Sequence, residues 1–188
     1  QIPVQFNTEV RDVQALDADA VVIATGSKAK VPGIPGIERA MDAVTYLNGA
    51  EVGDNVVIIG GGQTGSEIAF DLHRKGKHPC IVEMMDDLMC VKNLCLANSS
   101  FLRDYFKTKR VPVYLNSKTT AITEEAVLIS GPDGKEKALP YDSVIYSVGY
   151  TSTPIAPKGN GTYYVGDCNK VGNLRTVIWE AWDVAMKL

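Results

Sequence analysis

The sequence predicts an α/β chain built on a parallel sheet. Two observations carry the prediction. Val56-Val57-Ile58-Ile59 is a run of four β-branched residues without polar alternation, the pattern of a strand buried on both faces. It is followed directly by Gly60, Gly62 and Gly65 in the spacing G-x-G-x-x-G, and then by a helical pattern over residues 63–75. In that helix Ile68, Ala69 and Leu72 share one side. Asp71 and Lys75 sit four apart on the other, where they can pair. Gly76 is placed to end the helix. A second buried strand, residues 79–83, closes the strand–helix–strand unit at Glu83.

The other elements are arranged around that unit. Residues 2–6 read as a short extended segment, and residues 19–25 as a buried strand ended by Gly26. Two prolines and two glycines within residues 28–37 point to an irregular crossover. Residues 41–47 suit a short helix. Residues 99–109 suit another, with Phe101, Leu102, Tyr105 and Phe106 on its apolar side. Residues 111–115 form a third strand. Short β segments follow near 119–123, 126–130 and 136–139, the last two joined by a turn at Gly131-Pro132-Asp133-Gly134. Residues 143–148 are a further buried strand ended by Gly149, and 151–161 a second crossover rich in Pro, Gly and Thr. After a strand at 162–165 and Gly166-Asp167, Asn173 is placed as an N-cap. It opens a last helix with Leu174, Val177, Ile178, Ala181, Ala185 and Leu188 on one face.

The glycine-rich turn has a chemistry. Gly60 permits a tight exit from the strand, Gly62 lets a ligand approach the backbone, and Gly65 lets the helix pack closely. The first N–H groups of the helix lack intrahelical partners and the dipole is positive there, so an anion is favoured. Glu83 falls where a carboxylate accepts hydrogen bonds from a ribose. Met84, Met85, Asp86 and Asp87 follow it, and no Lys or Arg occurs before Lys92. A 2′-phosphate would meet like charge without a cation, which favours NAD(H) over NADP(H).

Composition narrows the function classes. With 188 residues and 45% hydrophobic content the chain is ordinary for one large or two small globular domains. A formal net charge of −3 gives no basis for a nucleic-acid partner. No apolar run has the length of a membrane span. The first residue is Gln1, so the chain is read as starting inside a longer protein. Cys80, Cys90, Cys95 and Cys168 form no C-x-x-C pair, and a reduced, cytoplasmic setting is expected. His73 and His78 lack the clustered partners of a metal site, so none is expected.

Several ordered motifs carry a resemblance. They are Ala24-Thr25-Gly26-Ser27 with Pro32-Gly33-Ile34-Pro35-Gly36, the glycine-rich unit, Ser147-Val148-Gly149-Tyr150, and Val165-Gly166-Asp167. In this order the chain resembles the pyridine-nucleotide flavoprotein oxidoreductases. Within them it is most similar to the C-terminal region of the enoate reductase and 2,4-dienoyl-CoA reductase group, whose N-terminal half is an old-yellow-enzyme barrel. The ending from Gly172-Asn173-Leu174-Arg175 through Trp179-Glu180-Ala181 looks much like that group.

The resemblance implies a Rossmann-like NAD(P)H-binding domain, a parallel sheet plus a β-meander, inserted in a partial FAD-type dinucleotide-binding domain. The boundaries expected are 1–37 and 151–188 for the FAD-type pieces and 38–150 for the NAD(H) domain. It implies that Gly60, Gly62, Gln63, Thr64 and Gly65 cradle the NADH pyrophosphate and that Glu83 takes the ribose. Glu67 stands where some relatives carry a glutamate beside the nicotinamide, and Gly149 would border the nucleotide cleft. Gly166 and Asp167 match the element that holds the flavin ribityl chain. The first FAD diphosphate motif, the FMN barrel and its iron–sulfur cysteines are expected in the rest of a parent chain. Hydride would pass from NADH to FAD, then by electron transfer to FMN and an α,β-unsaturated substrate. No catalytic residue is expected here, and the isolated piece is expected to be inactive. Two alternatives stand beside this: a stand-alone nucleotide-binding module, and a disulfide reductase using Cys90 and Cys95, whose C-x-x-x-x-C spacing is that of a redox pair.

Overall fold

The computed structural model describes residues 2–90, 94–159 and 161–188. Lys92 and the residues between Cys90 and Leu94 lie outside the described residues. In chain order the strands and helices are β1 (Val21–Ile23), β2 (Ser27–Ala29), β3 (Met41–Asp42), α1 (Ala43–Leu47), β4 (Asn55–Ile59), α2 (Gln63–Arg74), β5 (His78–Val82), α3 (Leu96–Lys109), β6 (Val113–Tyr114), β7 (Lys118–Ile122), β8 (Ala126–Ser130), β9 (Glu136–Pro140), β10 (Ser143–Tyr146), β11 (Tyr150–Ser152), β12 (Thr162–Tyr164) and α4 (Leu174–Ala185). The chain divides into two compact units, Ala29–Gly149 and the combination of Gln1–Lys28 with Tyr150–Leu188.

The larger unit has three layers. Its middle layer is a parallel sheet in the order β3-β10-β4-β5-β6. Along β4, Val56 and Ile58 face a core shared with Ile68, Ala69 and Leu72 of α2 and with Leu102 and Phe106 of α3. Val57 and Ile59 face the opposite core, where Ile122, Val127, Ile129 and Leu139 of the antiparallel β7-β8-β9 meander cover the sheet. Both faces of β4 are therefore dry, which explains its lack of alternation. Ile58 has no exposed surface, and burying such a side chain contributes about 1.5–3 kcal/mol.

Local signals set the element ends. Asp42 caps α1 by accepting from the Val44 and Thr45 N–H groups. This splits the helix expected over 41–47 into a two-residue strand and a short helix. Gly76 follows α2 with φ of 82°, a left-handed conformation that glycine adopts without strain. Lys75 reaches Asp71 at 2.7 Å. Asp71 also accepts from the Tyr46 hydroxyl at 2.7 Å, tying α1 to α2. The proline- and glycine-rich stretch at 29–37 packs with the larger unit. Ile34 and Ile37 lie against the meander core, and Pro35 accepts from the Ile122 N–H.

The smaller unit is held by much less. Parallel β1 and β12 form its two-stranded sheet, and its core is Val13, Ile23 and Cys168. Residues 2–6 are irregular and exposed rather than a strand. Of the apolar face expected for α4, only Val177 turns inward. Thr176, Val177, Glu180 and Val184 are the half-buried positions of the helix, while Leu174 is 75% exposed and Trp182 63%. Two contacts set this orientation: Glu180 accepts from the Gly166 N–H, and Val177 packs against Gly166. A core of three buried residues has too little surface to cover the remaining apolar side chains.

Candidate functional site

The four glycines of the turn do different work. Gly60 has φ of 104°, and a Cβ there would lie 2.3 Å from the Ser147 carbonyl oxygen. A Cβ on Gly65 would lie 2.0 Å from the Gly60 carbonyl oxygen, so α2 rests directly on the end of β4. Gly61 is packed beneath Leu88, whose Cδ2 would be 2.4 Å from an added Cβ. At Gly62 an added Cβ meets nothing within 4 Å. Of the three motif glycines, two are needed by the fold and one faces open space. The sequence reading passed over Gly61, although three consecutive glycines were the available signal. It also passed over Ser66, whose fully buried hydroxyl donates to the Gly61 carbonyl.

Gly62 caps α2 without any side-chain hydrogen bond. The N–H groups of Gly62, Gln63 and Thr64 meet no acceptor among the described residues. These are the orphan donors that make a helix start attractive to an anion. Gln63 and Glu67 are joined side chain to side chain at 3.0 Å, one turn apart and both exposed.

Glu83 follows β5, whose Val82 is opposite Ile59 of β4, so the carboxylate arrives beside the turn. Its Oε2 accepts from the Gly61 N–H at 2.6 Å and its Oε1 from the Met85 N–H at 2.9 Å. Its own backbone is held by Tyr114 and Ser117. Each carboxylate oxygen keeps a further lone-pair direction for another donor. Arg103 reaches the segment after Glu83 from α3, but it is engaged there. Its Nε lies 2.8 Å from Asp87 Oδ2, within ion-pair distance though off hydrogen-bond alignment, and it donates to the Leu88 carbonyl.

Gly149 ends the strand segment next to β4 on the other side. Tyr146 of β10 is opposite Ile59, and the Ser147 N–H donates to Ile59. Gly149 is exposed, with φ of 96°. The glycine turn, Glu67, Glu83 and Gly149 therefore gather at the carboxyl edge of the sheet. The chain order reverses there, between β4 and β10, which is where ligands bind in open α/β sheets. The larger cavities lie elsewhere: about 400 Å³ at the amino edge of the strands and about 380 Å³ between α3 and β6. Beside Gln63 and Glu67 the enclosed space is only about 20 Å³.

Gly166 and Asp167 belong to the smaller unit. Asp167 accepts from the Ser27 hydroxyl through Oδ2 and from the Gly172 N–H through Oδ1. Cys90 and Cys95 are free and exposed, and Cys95 caps α3 without a side-chain bond.

Residues 3–162 match the family described as pyridine nucleotide-disulphide oxidoreductase. The chain belongs to that family. Among relatives of this oxidoreductase family, cinnamate reductase of Clostridium sporogenes is 31% identical across 100% of this chain, which spans 29% of that protein. NADH oxidase of Thermoanaerobacter brockii is 25% identical over 96% of this chain and 29% of its own length. Among solved structures, a 2-naphthoyl-CoA reductase complex superposes with a TM-score of 0.78 at 26% identity, covering 90% of this chain and 27% of that one. Thioredoxin reductase of T. acidophilum shares the fold with a TM-score of 0.68 at 22% identity, over 90% of this chain and 64% of that one. The fold is thus the Rossmann-like fold of pyridine-nucleotide oxidoreductases, with a meander added to the parallel sheet. The chain spans less than a third of the length of the two sequence relatives.

Proposed function

We propose that the chain is the NADH-binding region of a flavin-dependent oxidoreductase. In this reading bound NADH would supply hydride to FAD, and electrons would then pass to FMN for reduction of an α,β-unsaturated substrate of the enoate or dienoyl-CoA class. The observation that carries it is the unprotected start of α2. Gly62 faces open space there, three backbone donors lack protein acceptors, and Glu83 is fixed to the same turn. The relatives named cinnamate reductase and 2-naphthoyl-CoA reductase support the substrate class.

Gly60, Gly61 and Gly65 shape the turn. The N–H groups of Gly62, Gln63 and Thr64 would hold the pyrophosphate. Glu83, with lone pairs remaining on both oxygens, would accept the ribose hydroxyls. The hydrogen-bonded Gln63–Glu67 pair would position the nicotinamide end, and Gly149 would leave its path clear. The dinucleotide supplies the hydride; the protein's share is binding and orientation. Gly166 and Asp167 would meet the flavin ribityl chain, with residues 1–37 and 151–188 as the parts of a FAD-type domain. FMN and an iron–sulfur cluster belong to the remainder of the parent chain, in a cytoplasmic setting. Among the described residues no helix is long and apolar enough to cross a membrane.

Calorimetric titration of the 188-residue chain with NADH, NADPH and FAD tests the proposal. Saturable NADH binding, tighter than NADPH and with little FAD binding, is expected. NADPH binding more tightly than NADH would remove the role given to Glu83.

A further inference from the structure

We infer that the groove at the amino edge of the parallel sheet is an anion site, shaped for a small ligand carrying a multiply charged phosphate-type group. The groove encloses about 400 Å³, the scale of a small-molecule site. Both histidines of the chain, His73 and His78, line it together with Lys109 and Arg110. None of its lining residues is an aspartate or glutamate.

Topology brings these groups together. α2 and α3 run back against the strands that they connect, so the ends of both helices return to the amino edge. His73 lies in the last turn of α2, and His78 opens β5 opposite Asn55 of β4. Lys109 ends α3, and Arg110 turns the chain with φ of 56° into the segment leading to β6. Lys137 stands at the rim, its Nζ 4.5 Å from the ring centre of Tyr114, which lines the groove.

A plain alternative is that these basic side chains serve as hydrogen-bond caps for the last carbonyls of the helices. The backbone already supplies those caps. Lys75, Gly76 and Lys77 N–H groups bond the last carbonyls of α2, and those of Arg110 and Val111 bond the last carbonyls of α3. None of His73, His78, Lys109 and Arg110 forms an ion pair among the described residues. His73 is steadied by a 2.8 Å hydrogen bond between its Nδ1 and the Tyr105 hydroxyl. Buried Val56, Val57, Val111 and Leu139 form the apolar part of its lining, and charge acts more strongly beside such packing than in open water. Cys80 in the wall offers no competing anion, since burial pushes its thiol up to about 11.

The site is testable because there are only two histidines. The imidazole proton resonances of the full 188-residue chain are followed by NMR at fixed pH and ionic strength while inorganic pyrophosphate is added. Both histidines are expected to shift along one saturating curve. The K109Q/R110Q double variant is expected to weaken that curve about tenfold or more, as for loss of charge-assisted hydrogen bonds. Shifts that stay linear, that sodium chloride reproduces, or that survive unchanged in the double variant would overturn the assignment. The two histidines report on the amino edge, so their response is separate from any binding at the glycine turn.

Discussion

The Glu83 carboxylate accepts a 2.6 Å hydrogen bond from the backbone N–H of Gly61. A side chain at the end of one strand thereby holds the turn leaving its neighbour. It also removes one turn donor from the set that could meet a ligand, so the donors left for an anion are those of Gly62, Gln63 and Thr64. The same carboxylate serves fold and site.

Glu83→Gln separates the two roles. The amide retains one acceptor oxygen but turns a donor toward either the Gly61 or the Met85 N–H. An unpaired donor of this kind costs about 1–3 kcal/mol, read as a lower midpoint in urea unfolding. NADH affinity is expected to fall about tenfold, and the preference for NADH over NADPH to shrink. An unchanged preference would show that Glu83 is structural only.

Gly62 and Gly65 are expected to respond in opposite ways to alanine. Gly65→Ala puts a Cβ against the Gly60 carbonyl oxygen, and overpacking of that kind costs about 1–3 kcal/mol. Gly62→Ala has room and a φ of −64°, so thermal stability should barely change while NADH binding weakens. Differential scanning calorimetry with NADH titrations of both variants checks the contrast. Equal losses of stability would contradict the division of labour.

These roles were legible where local chemistry and burial agreed. The unbroken Val56–Ile59 run, the glycine spacing and the acid just after β5 are all signals carried within one short stretch of sequence, although the meander and Ser147 complete the packing around them. The turn at Gly131–Gly134 and the Asn173 cap were legible because their signals are local. The inward face of α4 was not, because periodicity reports which residues are apolar and not what stands opposite them. The hydrogen bond that Glu180 accepts from the Gly166 N–H and the packing of Val177 on Gly166 set the rotation of that helix. The pairing of Glu83 with Gly61 was likewise hidden, since a backbone donor has no sequence signature.

Acid stability should carry a signature from Asp71. Burial alone would raise its carboxyl, but hydrogen bonds from Lys75 and the Tyr46 hydroxyl outweigh it and hold it below the ordinary range. A depressed folded value means that the contribution is complete above the unfolded pKa, about 3.9, and is lost as pH falls through the folded value. Asp71→Asn should therefore lower Tm at pH 7, and the difference from wild type should close as pH drops below about 4. A gap that widens in acid would contradict this sign.

Thiol reactivity should divide the cysteines in two. Cys90 and Cys95 are exposed, Cys168 is buried, and Cys80 is held as a thiol by burial. Brief alkylation at pH 8 with peptide mapping should label Cys90 and Cys95 first, Cys80 much more slowly because its thiol stays protonated, and Cys168 only on unfolding. Labelling of Cys80 as fast as that of Cys90 would contradict a thiol held protonated by burial.

The start of α2 can be watched directly through its amide protons. With NADH added to the isotope-labelled chain, the Gly62, Gln63 and Thr64 amide resonances should show the largest shifts, with Glu83 moving beside them. Large shifts elsewhere with those three unmoved would contradict the placement of the pyrophosphate on this helix.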